Sequence, residues 1–97
     1  MTARALRWTN RALRRLDQIA AHIRKDNPEA AYSVITRIGR AADTLARHPA
    51  LGRPGRIGSS RELVVTGLPF IIAYRVTPTT IDILTVVHTA QRWPEEL

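Results

Sequence analysis

"LPFIIAYRVTPTTIDILTVVH", from Leu68 to His88, decides the fold. Two runs rich in β-branched and aromatic residues, Phe70 to Val76 and Thr80 to Val87, flank the proline-centred turn Thr77-Pro78-Thr79. Such side chains suit a pleated, half-buried surface. A three-residue connection leaves room only for antiparallel pairing, because a parallel crossover takes a dozen residues or more. Upstream, Gly67-Leu68-Pro69 separates this hairpin from a shorter run, Glu62 to Val65, so the three strands form a meander. In the last strand, simple alternation sets Ile81, Ile83, Thr85 and Val87 against Asp82, Leu84, Val86 and His88. Both faces are then buried, though unequally, and one of them needs a helical cover.

The cover lies in the first half of the chain. Ala3 to Trp8 reads as a short first strand. From Thr9 or Asn10, either one an N-cap, the apolar period becomes helical, with Leu13, Leu16, Ile19, Ala20 and Ile23 on one face. Arg11, Arg14, Arg15, Gln18 and Lys25 hold the other. Asn27-Pro28 ends that helix and caps the next, whose Ala31, Val34, Ile35, Ile38, Ala42 and Leu45 keep the spacing to Arg47 or His48, ahead of Pro49. So short a connection makes the pair an antiparallel hairpin. "HPALGRPGRIGSS", His48 to Ser60, reads as the most mobile loop. The expectation is one α+β domain over residues 1–97, in the order β-α-α-β-β-β, with a helical hairpin on a mainly antiparallel sheet.

Composition narrows the partners. Fifteen basic residues against eight acidic give +7, and fourteen of the fifteen are arginine. Arginine captures carboxylates and phosphates with two donors at once, so an acidic protein segment or a nucleic acid fits this charge. A GC-rich genome would also favour arginine anywhere, and that explanation takes about half of the excess. The chain has no cysteine and three scattered histidines, which gives no thiolate or histidine metal motif and no cofactor to expect. The longest apolar runs are too short to span a bilayer, no signal-peptide core opens the chain, and a cytoplasmic protein is the expectation. A domain of 97 residues buries only about 60 to 65% of its unfolded surface, so a partner would add to its stability.

The order of elements resembles the RelE/ParE superfamily of toxins from bacterial toxin-antitoxin modules. "HPALGR" after the second helix, "REL" at Arg61 to Leu63, "LPFIIAYRV" at Leu68 to Val76 and "ILTVVHTAQRWP" at Ile83 to Pro94 carry the resemblance, which spans nearly the whole chain. It implies a toxin of a type II, plasmid-stabilising module, in one of two forms. ParE-like members inhibit DNA gyrase by binding; RelE-like members are ribosome-dependent mRNA endoribonucleases. Both are neutralised by a small antitoxin, and for ParE-like toxins this is a ParD-like ribbon-helix-helix protein with an acidic C-terminal tail, giving a hetero-oligomeric complex.

RNA cleavage through the 2'-hydroxyl needs a base, an acid and a cation for the developing phosphate charge. RNA-cleaving relatives often place an arginine three residues before the tyrosine matched here by Tyr74, and Ile71 stands at that position. A polar group after the second helix would fall near Ala50, and the tail tyrosine of several relatives has no counterpart beyond Trp93. The catalytic candidates that remain are His88, Arg75 and Arg92. His88 reads sooner as a strand-end histidine that caps the sheet or contacts the helical hairpin, and Arg75 at least as readily as a cross-strand partner of Asp82. The balance favours the ParE-like form, with Arg61, Arg92, Trp93, Arg53 and Arg56 as target-binding residues and Arg11, Arg14, Arg15 and Arg75 toward the antitoxin. Trp93 is either an interface anchor or packed on its own sheet. A plain nucleic-acid-binding domain ranks third, because no reader motif is present.

Overall fold

The computed structural model describes residues 3–97. Its elements are β1 (Ala5–Trp8), α1 (Asn10–Arg24), α2 (Pro28–Leu45), β2 (Arg53–Pro54), β3 (Arg61–Val64), β4 (Phe70–Val76) and β5 (Thr80–His88). They form one sheet in the order β1-β5-β4-β3-β2. The meander is antiparallel as the short turns require. β1 instead pairs parallel with β5, Ala5 opposite Thr80 and Trp8 opposite Ile83, since the whole helical hairpin intervenes before the chain returns.

Local chemistry sets the helix boundaries. Thr9 is the cap of α1: its Oγ1 accepts from the Ala12 amide at 3.1 Å and donates to the Ile83 carbonyl at 2.8 Å, so one hydroxyl starts the helix and ties it to the sheet. Asn27 caps α2 by accepting from the Ala30 amide at 3.1 Å, with Pro28 in the first turn and Glu29 near the positive end of the dipole. α2 stops at Leu45, earlier than the periodicity suggests, because the chain tightens into turns through Ala46 and Arg47 before Pro49. On α1 the buried residues are Ala12 and Ile19, while Leu13 is exposed, so the inner stripe runs Ala12, Leu16, Ile19, Ile23.

Simple alternation fails in β5 for a definite reason. Ala73 pairs with Thr85 but Tyr74 pairs with Ile83, so Leu84 is a bulge and the faces exchange there. Ile81, Ile83 and Val86 therefore share the helix-facing core with Phe70, Ile72 and Tyr74. The opposite face holds Ile71, Ala73, Thr85 and Val87, and these are buried too. With both helices on the first face, the second is covered by irregular chain.

Part of that cover is the segment expected to be mobile, and it is pinned. Its first turn passes Tyr74, whose hydroxyl accepts from the Gly52 amide at 2.9 Å and donates to the Pro49 carbonyl at 2.8 Å. A Cβ on Gly52 would lie 2.7 Å from that hydroxyl, so the approach requires glycine. The loop then adds β2 to the sheet edge, Arg53 opposite Glu62, and crosses to the second face. There the buried Glu62 carboxylate accepts from the Arg56 amide at 2.8 Å.

Burial raises the Tyr74 pKa above its ordinary value of 10.0. Folding thus favours the neutral phenol, and its contribution to stability is complete below pH 10 and lost as pH rises toward the folded-state pKa. Tyr74→Phe orphans the Gly52 amide and should cost about 2 kcal/mol, a fall of roughly 10 °C in Tm. Thermal melts from pH 7 to 11 on both proteins test this: the variant should start lower and lack the tyrosine's part of the alkaline decline.

Candidate binding surface

The second face of the sheet gathers Arg53, Arg56 and Arg75 from the residues singled out above. Arg53, Glu62, Ala73 and Thr85 lie in one row across β2, β3, β4 and β5. Glu62 is 2% exposed, yet its carboxylate meets three donors. Besides the Arg56 amide, Arg53 Nη2 lies 3.3 Å and Arg56 Nε 3.7 Å from Oε1. A buried charge persists only when it is paired and hydrogen-bonded, and these groups supply that. The arginine side chains remain more than half exposed. Each commits part of its guanidinium to Glu62 and keeps the rest toward solvent.

Arg56 also reaches the tail. Its Cζ sits 4.2 Å from the ring centroid of Trp93, a cation–π contact worth about 0.5 to 1 kcal/mol at this exposure. Trp93 is half-buried against this loop arginine. Its Nε1 is buried without an acceptor, which costs about 1 to 3 kcal/mol. Arg92 beside it is exposed and makes no hydrogen bond or ion pair among the described residues. Arg61 stands apart. It pairs with Tyr74 on the helix-facing side of β3, and its Nη1 holds the Gly52 carbonyl at 2.6 Å.

Arg75 lies on the same face as Glu62, directly opposite Asp82, but the expected pair between them does not form. Asp82 takes Arg7 Nε at 3.0 Å from β1, and Arg75 Nε turns to Ser59 Oγ at 3.2 Å. The hydrogen bond from Arg7 holds the Asp82 carboxyl below its usual range, with smaller help from Thr80 and Arg75. Arg11, Arg14 and Arg15 instead line a crevice of about 220 Å³ with Gln91 and Pro94, along β5 beyond the end of β1. Arg15 binds the Val86 carbonyl at 3.0 Å and Gln91 at 2.8 Å, and Arg11 the Glu96 carbonyl at 3.2 Å. Arg75 is not part of this crevice.

The Tyr74 hydroxyl and one ring nitrogen of His88 are engaged within the fold. The Tyr74 hydroxyl is fully buried and doubly bonded. His88 meets Phe70 edge-on at 5.2 Å, and its Nδ1 accepts from the Ala90 amide at 3.0 Å, closing the strand end. Ile71, where RNA-cleaving relatives place arginine, is buried. Among the described residues Arg75 and Arg92 make no hydrogen bond with His88. Among the described residues no group of three His, Cys, Asp or Glu side chains gathers to hold a metal. No helix is long and apolar enough to cross a membrane.

Sequence reasoning passed over Glu62, reading it only as the start of a strand. The signal was a lone carboxylate at a core-facing register among Arg53, Arg56 and Arg61. A groove of about 310 Å³ runs between α2 and β3, where Leu51 and Val64 are exposed beside Arg37 and Arg40.

Comparison with known proteins fits this architecture. Among solved structures, the chain superposes on the chromosomal ParDE TA system from P. aeruginosa with a TM-score of 0.81 and 28% identity, covering 89% of this chain and 96% of that one. The toxin-antitoxin complex RelBE2 of Mycobacterium tuberculosis gives 0.62 at 24% identity, over 94% and 97% of the two chains, a likeness of fold. In sequence it is 38% identical to Toxin RelE2 of Caulobacter vibrioides over 87% of this chain and 93% of that one. It is 56% identical to Y4kP of Sinorhizobium fredii, named as a toxin, over the full length of both. The family model for the ParE toxin of the type II toxin-antitoxin system parDE matches residues 6–93. On that match and that full-length relative, the chain belongs to the ParE toxin family of type II toxin-antitoxin systems.

Proposed function

We propose that this chain is a plasmid-stabilising toxin that inhibits DNA gyrase by binding it, and that a cognate ParD-like antitoxin with an acidic tail neutralises it in a hetero-oligomeric complex. One observation carries the binding mode: the groups able to move protons are used inside the fold, while arginines are presented outward. Tyr74 and His88 are tied to backbone amides, whereas Arg53, Arg56 and Arg92 keep donors toward solvent. Guanidinium groups beside a tryptophan are the composition of an interface anchor, not of a general acid and base. An antitoxin partner is supported by the solved relatives, which come from ParDE and RelBE2 systems. The basic crevice of Arg11, Arg14 and Arg15 suits its acidic tail.

A second reading has the relative named Toxin RelE2 in its favour: a ribosome-dependent endoribonuclease using His88, Arg75 and Arg92. Two assays on the same protein separate the readings, gyrase supercoiling and message cleavage in cells. In the binding mode, His88→Ala loses only the Phe70 contact and a strand-end hydrogen bond, about 1 kcal/mol or roughly 5 °C of Tm, and keeps full gyrase inhibition. Loss of message cleavage at unchanged Tm would establish the ribonuclease instead.

Arg92→Ala probes the tail with little cost to packing, because Arg92 is exposed and makes no hydrogen bond or ion pair among the described residues. Its loss should weaken gyrase inhibition about tenfold or more, with Tm and antitoxin affinity unchanged. Truncation after His88 should behave differently, lowering Tm as well, since it removes the Trp93 stack and the Gln91 contact to Arg15. Full inhibition by the Arg92→Ala protein removes that residue from the target surface.

A further inference from the structure

Among the described residues Glu62 is the carboxylate placed between the loop and the tail, and nothing in the proposed binding mode assigns it a part. It is buried, so it does not touch a partner. The two loop arginines of the binding surface nevertheless converge on it. The Arg56 amide fixes the loop backbone to Oε2, and Arg53 and Arg56 share Oε1, which sets two guanidiniums side by side. Arg56 then lies over Trp93, and no hydrogen bond holds that indole, since Nε1 is without an acceptor. Arg15 and Arg11 hold the tail on either side, at Gln91 and Glu96, but the place of the Trp93 indole between them depends on where Arg56 is held, and Arg56 is held by Glu62.

We infer that Glu62 is the positioning residue of the target-binding surface: it aligns Arg53 and Arg56 as a paired receptor for carboxylates of a protein target, and through Arg56 joins the tail to the loop as one binding unit. The inference rests on the target-binding reading above. Acidic protein groups fit the geometry, because each guanidinium turns a single nitrogen toward Glu62 and keeps its other donors for a second carboxylate. The two arginines would otherwise repel, and both carry flexible stems whose ordering opposes binding. A buried counter-charge settles both before the partner arrives. Their charges would not replace one another: without Glu62 the surface keeps its arginines but not their alignment.

The test uses Glu62→Gln, which keeps an acceptor for the Arg56 amide and removes the charge. It is read in a Trp8→Phe background so that Trp93 alone reports. Acrylamide quenching of Trp93 should rise severalfold as the tail loosens. The concentration for half-inhibition of gyrase should rise about tenfold or more, with antitoxin affinity unchanged. Should Glu62→Gln fold poorly, Arg56→Gln breaks the same link from its exposed side and should give the same two changes. Unchanged quenching overturns the linkage, and raised quenching with undiminished inhibition overturns its role in target binding. If the parent protein does not inhibit gyrase, the target reading falls by itself. Glu62 is then judged on Trp93 quenching alone, where no change overturns it.

Discussion

One helical layer has to serve a sheet whose two central strands are apolar on both faces. β4 and β5 place Ile72, Tyr74, Ile83 and Val86 against the helices and Ile71, Ala73 and Val87 on the reverse, all nearly removed from water. Both helices among the described residues lie on the first face. The reverse is closed by a proline- and glycine-rich loop and a short tail. Irregular chain brings backbone amides that no ladder satisfies, and a buried amide without a partner costs as much as the contact it came to make. The polar residues buried near the loop follow from that requirement. Tyr74 serves Gly52, and Glu62 serves Arg56.

The same requirement shapes what the site can do. A tyrosine and a glutamate in a small, arginine-rich domain would be natural partners for phosphate chemistry, but here their oxygens are consumed by the backbone they hold in place. Arginine differs, because five donors in one plane allow it to satisfy an internal acceptor and still face outward. The outward chemistry of the reverse face is therefore cationic and planar, without proton transfer, and suits recognition more than catalysis. Tail packing is the weak point of this arrangement. Trp93 closes apolar surface at the cost of an unsatisfied indole donor, so it sits docked with little margin.

What could be read from the sequence divides along physical lines. The α+β order, both helix caps, the antiparallel meander and the family resemblance follow from local signals: period, proline, turn length and a few short motifs. Tertiary geometry escaped. The bulge at Leu84 reversed the faces of β5, and nothing in "IDILTVV" marks it. The loop at His48 to Ser60 carries every mark of mobility, because glycine and proline signal irregular backbone whether it is free or pinned. Pinning depended on Tyr74 and Glu62, side chains from strands later in the chain. Arg75 looked paired with Asp82 and is opposite it, but Arg7 arrives from a parallel strand, and that alignment required knowing where β1 sits. Trp93 was readable as an anchor or as packing, and its place beneath Arg56 is a contact between segments far apart in sequence.

The arginine excess can be weighed in the same way. A genome rich in GC would scatter arginine without regard to structure, and Arg14, Arg24, Arg40 and Arg47, exposed and without hydrogen bonds or ion pairs among the described residues, fit that account. Others do not. Arg4, Arg11, Arg15, Arg37 and Arg61 each donate to a backbone carbonyl, at Thr77, Glu96, Val86, Thr66 and Gly52. These carbonyls lie in turns, in the tail, or along β5 where β1 no longer covers it, where the sheet ladder gives no donor. Lysine could approach the same oxygens, but its compact, strongly hydrated ammonium would give up more water to do so and could not lie flat on Trp93 as Arg56 does. At these positions composition bias and structural need point the same way, and only geometry separates them. Arginine therefore closes the ends of a sheet too small to close itself, and what remains of its charge is what a partner meets.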